Sequence, residues 1–178
     1  MPLPEVWLRG PLPEFAPALQ PVAHSLLQIR EEIEPAVLPL SNGELWARPG
    51  GAASVGFHLR HLAGSLDRLL TYARGEELTE AQRTALDAEQ IADSAVNPAA
   101  LLHLVCQTID RALDQIRATP VESLFEVRRV GRSRLPSTVV GLLFHAAEHA
   151  QRHAGQIATT ARIVRALHRS ELSSFSDP

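Results

Sequence analysis

The sequence contains no lysine and a single cysteine, Cys106. All 17 basic residues are arginines, and so uniform a replacement is typical of genome composition, which means that arginine enrichment by itself carries little functional information. One cysteine cannot form an internal disulfide, which fits a reducing, cytoplasmic compartment. The formal net charge is only −3, so the chain as a whole has no strong attraction for nucleic acid or an anionic membrane.

Long hydrophobic runs are also absent. No segment approaches the roughly 20 apolar residues that are needed to span a bilayer. The N-terminal residues lack the basic region and apolar run of a signal peptide, so we expect none. The 178 residues, 45% hydrophobic and 21% charged, predict one globular domain over residues 1–178. Prolines near the N-terminus predict an extended arm over residues 1–14, and residues 169–178 are predicted to be a flexible tail.

Strand-like alternation is scarce, whereas four long segments carry apolar residues at helical spacing. They run approximately over Phe15–Leu38, Ser54–Gly75, Asn97–Thr119 and Ser137–Leu167. A short helix is expected after Thr79, a loop over residues 38–54, and a strand or hairpin only within residues 121–137. This pattern predicts an all-α protein, a four-helix bundle with long crossover connections.

Five of the eight histidines fall in two short stretches of the second and fourth long helices: His58 and His61, then His145, His149 and His153. Residues three or four apart share a helix face, so a metal between the two helices can take two ligands from one helix and one from the other. Three histidines plus water form an open site of the catalytic type. The alternative, equally compatible with the sequence, is that these histidines only hydrogen-bond to their neighbours.

The segment His145–His149 also matches H-x-x-E-H, the inverted metalloprotease motif, with Glu148 as the base. That motif needs a further ligand well downstream. Few residues follow His149, and the only carboxylates among them are Glu171 and Asp177 near the end of the chain. The protease interpretation is therefore the weaker one.

Two segments, "SVGFHLRHLAGSLDRLLTYARG" (54–75) and "HAAEHAQRHAGQI" (145–157), resemble the DinB/YfiT-like superfamily of metal-binding four-helix bundles. The ending H-x-x-x-H-x-G-Q is the more specific part of the match. The resemblance implies that His61, His149 and His153 bind one divalent metal, and that His58 and His145 are neighbours of the site rather than ligands. It also implies metal-dependent thiol transfer with bacillithiol or mycothiol in some members.

The sequence does not decide between two reactions for such a metal site. A metal on three histidines lowers the pKa of a bound water to about 7, which favours hydrolysis, or binds and deprotonates a thiol, which favours transfer to an electrophile. Zinc, nickel and iron(II) all accept imidazole ligands. The expected function is thus a metal-dependent hydrolase or thiol transferase with a small-molecule substrate. The alternative is a non-catalytic dimeric bundle with a structural or vestigial metal.

No catalytic residue can be assigned from the sequence, but accessory positions can. Gln156 follows His153 by three residues and is a candidate for a hydrogen bond to a ligand imidazole or to bound water, with a helix–helix hydrogen bond as the alternative. Glu148 is a candidate beside His149, although it also fits a solvent-facing helix carboxylate. The hairpin segment carries four arginines, candidates for binding the acidic groups of a thiol cofactor or simply a solvated loop: Arg128, Arg129, Arg132 and Arg134.

Two partner predictions complete the sequence analysis. Nucleic acid is an unlikely partner because no aromatic residues interleave these arginines. A homodimer is expected because a bundle of long apolar helices can bury a remaining apolar stripe against a second copy.

Overall fold

The computed structural model describes the backbone of residues 3–174 and the side chains of residues 3–170. Six α-helices and one two-stranded hairpin lie in this part of the chain. They are α1 (Gln20–Val37), α2 (Asn42–Trp46), α3 (Val55–Ala73), α4 (Glu80–Ala88), α5 (Pro98–Ala118), β1 (Val127–Val130), β2 (Leu135–Thr138) and α6 (Val139–Ser174).

The four long helices α1, α3, α5 and α6 form a four-helix bundle. Helix α3 packs against α5 and α6, and α1 packs against the same two helices, so α1 and α3 lie diagonally opposite each other. The connection from α1 to α3 therefore crosses the bundle and contains α2, and the hairpin lies in the connection from α5 to α6. This topology confirms the predicted all-α bundle with long crossover connections.

Side-chain caps fix the first residues of two of the long helices, α3 and α5. The hydroxyl of Ser54 accepts a hydrogen bond from the N–H of Phe57 at the start of α3, and the side-chain oxygen of Asn97 accepts one from the N–H of Ala100 at the start of α5. These caps satisfy N–H groups that have no partner inside a helix. Both helix starts agree with the sequence prediction.

Residues 38–54 are not only a loop, because α2 forms within them. Ser41 accepts from the N–H of Glu44, and the Glu44 carboxylate accepts from the N–H of Ser41. This reciprocal capping box is visible in the sequence as Ser-Asn-Gly-Glu and is the signal that could have identified the helix. The loop prediction is wrong at this point.

The N-terminal arm predicted as extended over residues 1–14 contains one turn of 3-10 helix, Val6–Arg9. Its backbone is held on α1, because the N–H of Val6 donates to Gln28 at 2.8 Å and Arg9 pairs with Glu31 at 2.7 Å. The side chain of Val6 is buried, with 5% of its surface exposed, and its packing adds to the attachment of the arm. The prediction of an extended arm is wrong for this turn.

At the other end of the chain, α6 continues to Ser174, so the flexible tail predicted over residues 169–178 is helical over residues 169–174. Residues 175–178 lie outside the described part. The extent of the domain, residues 1–178, stays a prediction. No helix among the described residues combines the length and apolarity that a membrane crossing requires.

The core beneath the histidines is aliphatic. Leu59, Leu62 and Leu66 of α3 have no exposed surface, and the same is true of Leu143 and Ile157 of α6. Burying side chains of this size stabilises the fold by about 1.5–3 kcal/mol each. The histidines of α3 and α6 therefore project from helices whose positions are fixed by apolar packing.

Candidate metal centre

His61 of α3 meets His149 and His153 of α6 where these two helices pack against each other. One ring nitrogen from each of the three lies within 4.8 Å of the other two. The Nε2 atoms of His61 and His149 are 3.0 Å apart, and the ring of His153 lies 4.6 Å, centroid to centroid, from both other rings. The structure thus brings together the three histidines that the family resemblance implies.

This donor set fits a divalent transition metal. Zinc binds imidazole nitrogen at about 2.0–2.1 Å, which in tetrahedral geometry places the nitrogens about 3.4 Å apart. The separations in the cluster, between 3.0 Å and 4.8 Å, bracket this value. The cluster found in the described part of the chain has three members, and three protein ligands are typical of catalytic zinc, which keeps a position for water or substrate.

The two clustered histidines of α6, His149 and His153, are held in the neutral form. Burial is the main cause that lowers the pKa of His153 to about 4, and the nearby imidazoles of His61 and His149 contribute further. Burial also lowers the pKa of His149, with His61 as the next cause. Metal ligands must be deprotonated, so both rings are competent to bind a metal at neutral pH.

His61 is held by a carboxylate that the sequence analysis missed. Glu89, at the C-terminal end of α4, places Oε2 2.6 Å from Nδ1 of His61 and Oε1 2.7 Å from a guanidinium nitrogen of Arg68. Burial opposes ionisation of Glu89, but the hydrogen bonds from His61 and Arg68 outweigh it, and the pKa of the carboxyl is lowered. An ionised carboxylate only accepts, so Nδ1 of His61 carries a proton; in the neutral ring the lone pair then lies on Nε2, the atom that faces His149.

His58 lies behind the other end of the cluster. It is 6% exposed, and its Nδ1 is 3.0 Å from Nδ1 of His153. A hydrogen bond between these two atoms engages Nδ1 of His153 and leaves its Nε2 available. His58 is therefore a direct neighbour of His153.

His145 and Glu148 lie on the solvent side of α6, with side chains that are 52% and 39% exposed. They pair with each other at 3.3 Å, and Glu148 also pairs with Arg152. The ring of His145 is 5.5 Å from that of His149, which places it at the rim of the cluster. The inverted protease motif would require His145 as a ligand, and this arrangement does not support it.

Gln156 does not reach the histidines. Its side chain is exposed on α6 and makes no hydrogen bond within residues 3–170. The part of the chain with described side chains therefore shows no hydrogen bond between Gln156 and a ligand imidazole.

Arg68 pairs with Glu89, and its neighbour Asp67 accepts a hydrogen bond from Gln82.

The four arginines of the hairpin are distant from the histidines. Arg128 donates to the carbonyl of Ala73 at the C-terminal end of α3 and pairs with Glu126. At 1.5 Å per residue, Ala73 lies about 18 Å along α3 from His61. The other three are exposed: Arg129, Arg132 and Arg134. The hairpin is therefore too far away to bind the acidic groups of a ligand held at the histidines.

Cys106 is not placed as a nucleophile for this site. It is half-buried on α5, and burial raises the pKa of its thiol. Since the thiolate is the reactive form of cysteine, this environment favours a packing role.

Comparisons with known proteins agree with the architecture. The family model of the DinB superfamily matches residues 25–157, a span that includes all three clustered histidines. A similar solved structure is that of YfiT from Bacillus subtilis, a "probable metal-dependent hydrolase with an unusual four-helix bundle topology". It has a TM-score of 0.60 and 17% identity, over 80% of this chain and 85% of that chain, which shows a common fold. A search of the curated proteins gave no match.

Proposed function

The chain belongs to the DinB superfamily, and from this premise we propose that it is a divalent-metal-dependent hydrolase of small molecules, with His61, His149 and His153 as the metal ligands. The observation that carries the proposal is the convergence of three ring nitrogens, one from α3 and two from α6, within 4.8 Å of one another. The description of YfiT, a protein of the same fold, as a probable metal-dependent hydrolase supports the reaction class.

A divalent metal bound here supplies Lewis-acid chemistry and lowers the pKa of water to about 7. The residues of the chain prepare the donor atoms. Glu89 accepts from Nδ1 of His61, and His58 engages Nδ1 of His153, so that these two ligands present Nε2. Zinc, nickel and iron(II) all suit this set of imidazoles.

Substrate access is from the side of His61 and His149. The side chain of His61 is 23% exposed, whereas His153 and His58 are buried. The ring of Phe57 stacks on His61 with a centroid distance of 5.4 Å, and His145 stands beside His149. A small molecule that enters from this side meets the apolar ring of Phe57 and the exposed imidazole of His145.

Thiol transfer, with a low-molecular-weight thiol such as bacillithiol or mycothiol, is the second candidate. The same three-histidine site would serve it, because a metal-bound thiol is deprotonated. Of the arginines expected to bind the acidic groups of the thiol, Arg128 donates to the carbonyl of Ala73, which lies about 18 Å along α3 from His61. This is why hydrolysis is the stronger proposal.

We also propose that the protein is a cytoplasmic homodimer. Phe125, Val127 and Leu135, on or next to the hairpin, are 80%, 63% and 61% exposed and offer apolar surface to a second copy. Sedimentation that detects only monomer at micromolar concentration would contradict the dimer.

The functional test uses the purified full chain, loaded separately with zinc, nickel or iron(II) after removal of bound metal. We expect hydrolysis of a panel of esters, amides and phosphoesters that needs no thiol and is abolished by a chelator and by His149→Ala. Arg129→Ala, on the exposed hairpin far from the histidines, is the matched control and should keep full activity.

Two results would redirect the proposal. Conjugation that depends on an added thiol and an electrophile, with no hydrolysis, would replace hydrolase by thiol transferase. A wild-type protein that binds none of the three metals would refute the metal-dependent enzyme altogether.

A further inference from the structure

Glu89 is a buried carboxylate, 4% exposed, outside both histidine motifs. We propose that Glu89, held in place by Arg68, is a positioning residue for the metal site: it fixes the tautomer and ring orientation of His61, so that Nε2 is the ligand atom. The inference rests on the proposed function, because it concerns the same metal.

The first argument is the geometry of the carboxylate. Its two oxygens have separate donors, Nδ1 of His61 at 2.6 Å and a guanidinium nitrogen of Arg68 at 2.7 Å. Two donors fix both the position and the rotation of a planar carboxylate. The His61 ring is then held at Nδ1 while Nε2 points to Nε2 of His149, 3.0 Å away.

The second argument is the location of Glu89 at the C-cap of α4. The C-terminal end of a helix carries partial negative charge, so a carboxylate is disfavoured there and a cation favoured. Burial of a carboxylate is also unfavourable unless the charge is paired. Packing of α4 alone therefore gives no reason for a glutamate, whereas the hydrogen bonds from His61 and Arg68 do.

The third argument is the space that α3 leaves for this group. Gly64 lies between His61 and Arg68 on the same side of α3. A Cβ at position 64 would overlap Oε1 of Glu89 and lie 2.7 Å from the guanidinium nitrogen of Arg68. Glycine inside a helix is less favourable than alanine, and here the absence of a side chain at position 64 leaves room for the carboxylate.

The experiment measures zinc affinity of the full-length, metal-stripped protein by competition with a chromogenic chelator. Glu89→Gln has nearly the same size but only one acceptor oxygen, so it cannot offer a separate oxygen to His61 and to Arg68. If its NH2 group faces His61, the imidazole proton moves to Nε2, the ligand atom. We expect zinc affinity to fall by about 10- to 100-fold. Asp87→Asn, an exposed carboxylate on the same helix, is the matched control and should bind zinc as the wild type does.

A second measurement separates positioning from a merely structural role, and its first part uses only the wild type. Nitrogen-15 NMR of the metal-free wild type reports the tautomer of each histidine, and His61 is expected to carry its proton on Nδ1. In Glu89→Gln this signature should shift toward Nε2–H.

The outcomes for Glu89 and for the proposed function are distinct. A wild-type protein that binds no zinc would refute the proposed function. A wild type that binds zinc, together with unchanged affinity in Glu89→Gln, or with His61 already protonated on Nε2, would overturn the role of Glu89 alone.

Discussion

Alanine at His61, His149 or His153, one position at a time, is expected to remove most of the bound metal, whereas His145→Ala should retain it. Each of the three contributes a ring nitrogen to the cluster, so each substitution leaves only two imidazoles. The loss of affinity should exceed the roughly 100-fold that removal of an outer hydrogen-bond partner costs at most. Metal content after gel filtration, measured by mass spectrometry, tests this directly.

His145 is the informative control because it lies on the same helix as two of the ligands. A helix turns 100° and rises 1.5 Å per residue, so His145 and His153 are about 80° apart in direction and about 12 Å apart along α6. One metal with nitrogen bonds near 2.1 Å cannot bind both together with His149. Circular dichroism should show all four variants helical. If His145→Ala empties the site and His153→Ala does not, the ligand assignment is wrong and the inverted protease motif is favoured.

Metal-free protein is expected to lose about 2 kcal/mol of unfolding free energy when the pH is lowered from about 7.5 to about 5. The pKa of His153 is lowered to about 4 in the folded protein, chiefly by burial, while an unfolded histidine titrates near 6.5. Between these values the unfolded state binds more protons, so the stability is fully present above pH 6.5 and lost as the pH falls toward 4. The pKa values of His149 and His58 are lowered in the same direction and add to the loss.

Urea denaturation in the presence of a chelator, at a series of pH values, measures this dependence. His153→Asn removes one of the titrating groups, so its unfolding free energy should fall less steeply over the same range. An unfolding free energy of the wild type that stays constant down to pH 5 would contradict the expectation.

The helix bundle and the helix faces that carry the histidines could be predicted from the sequence, because both depend on local sequence patterns. Caps such as Ser54 and Asn97 and an apolar residue every three or four positions determine where a helix begins and which side is buried. The same periodicity places His149 and His153 on one face of α6. The choice of His61 rather than His58, however, came from the family resemblance, since spacing alone left both available.

The surroundings of the histidines could not be obtained in this way. Glu89 is 28 residues from His61 in the chain. It lies in a polar segment with several acidic residues, and no local pattern distinguishes it from the others. Only the path of α4 across α3 brings its carboxylate to His61 and Arg68. Likewise, nothing local distinguishes the arginines of the hairpin from anion-binding residues until the fold places them at the far end of α3.

The sequence by itself therefore determined the four long helices and the two histidine stripes, because helical periodicity and capping act over a few neighbouring residues. The tertiary structure decided which histidines face one another, that His145 and Gln156 remain on the solvent side, and that a buried Glu89–Arg68 pair supports His61. These outcomes depend on how the crossover connections set the helices against one another, and that packing is a property of residues far apart in the chain.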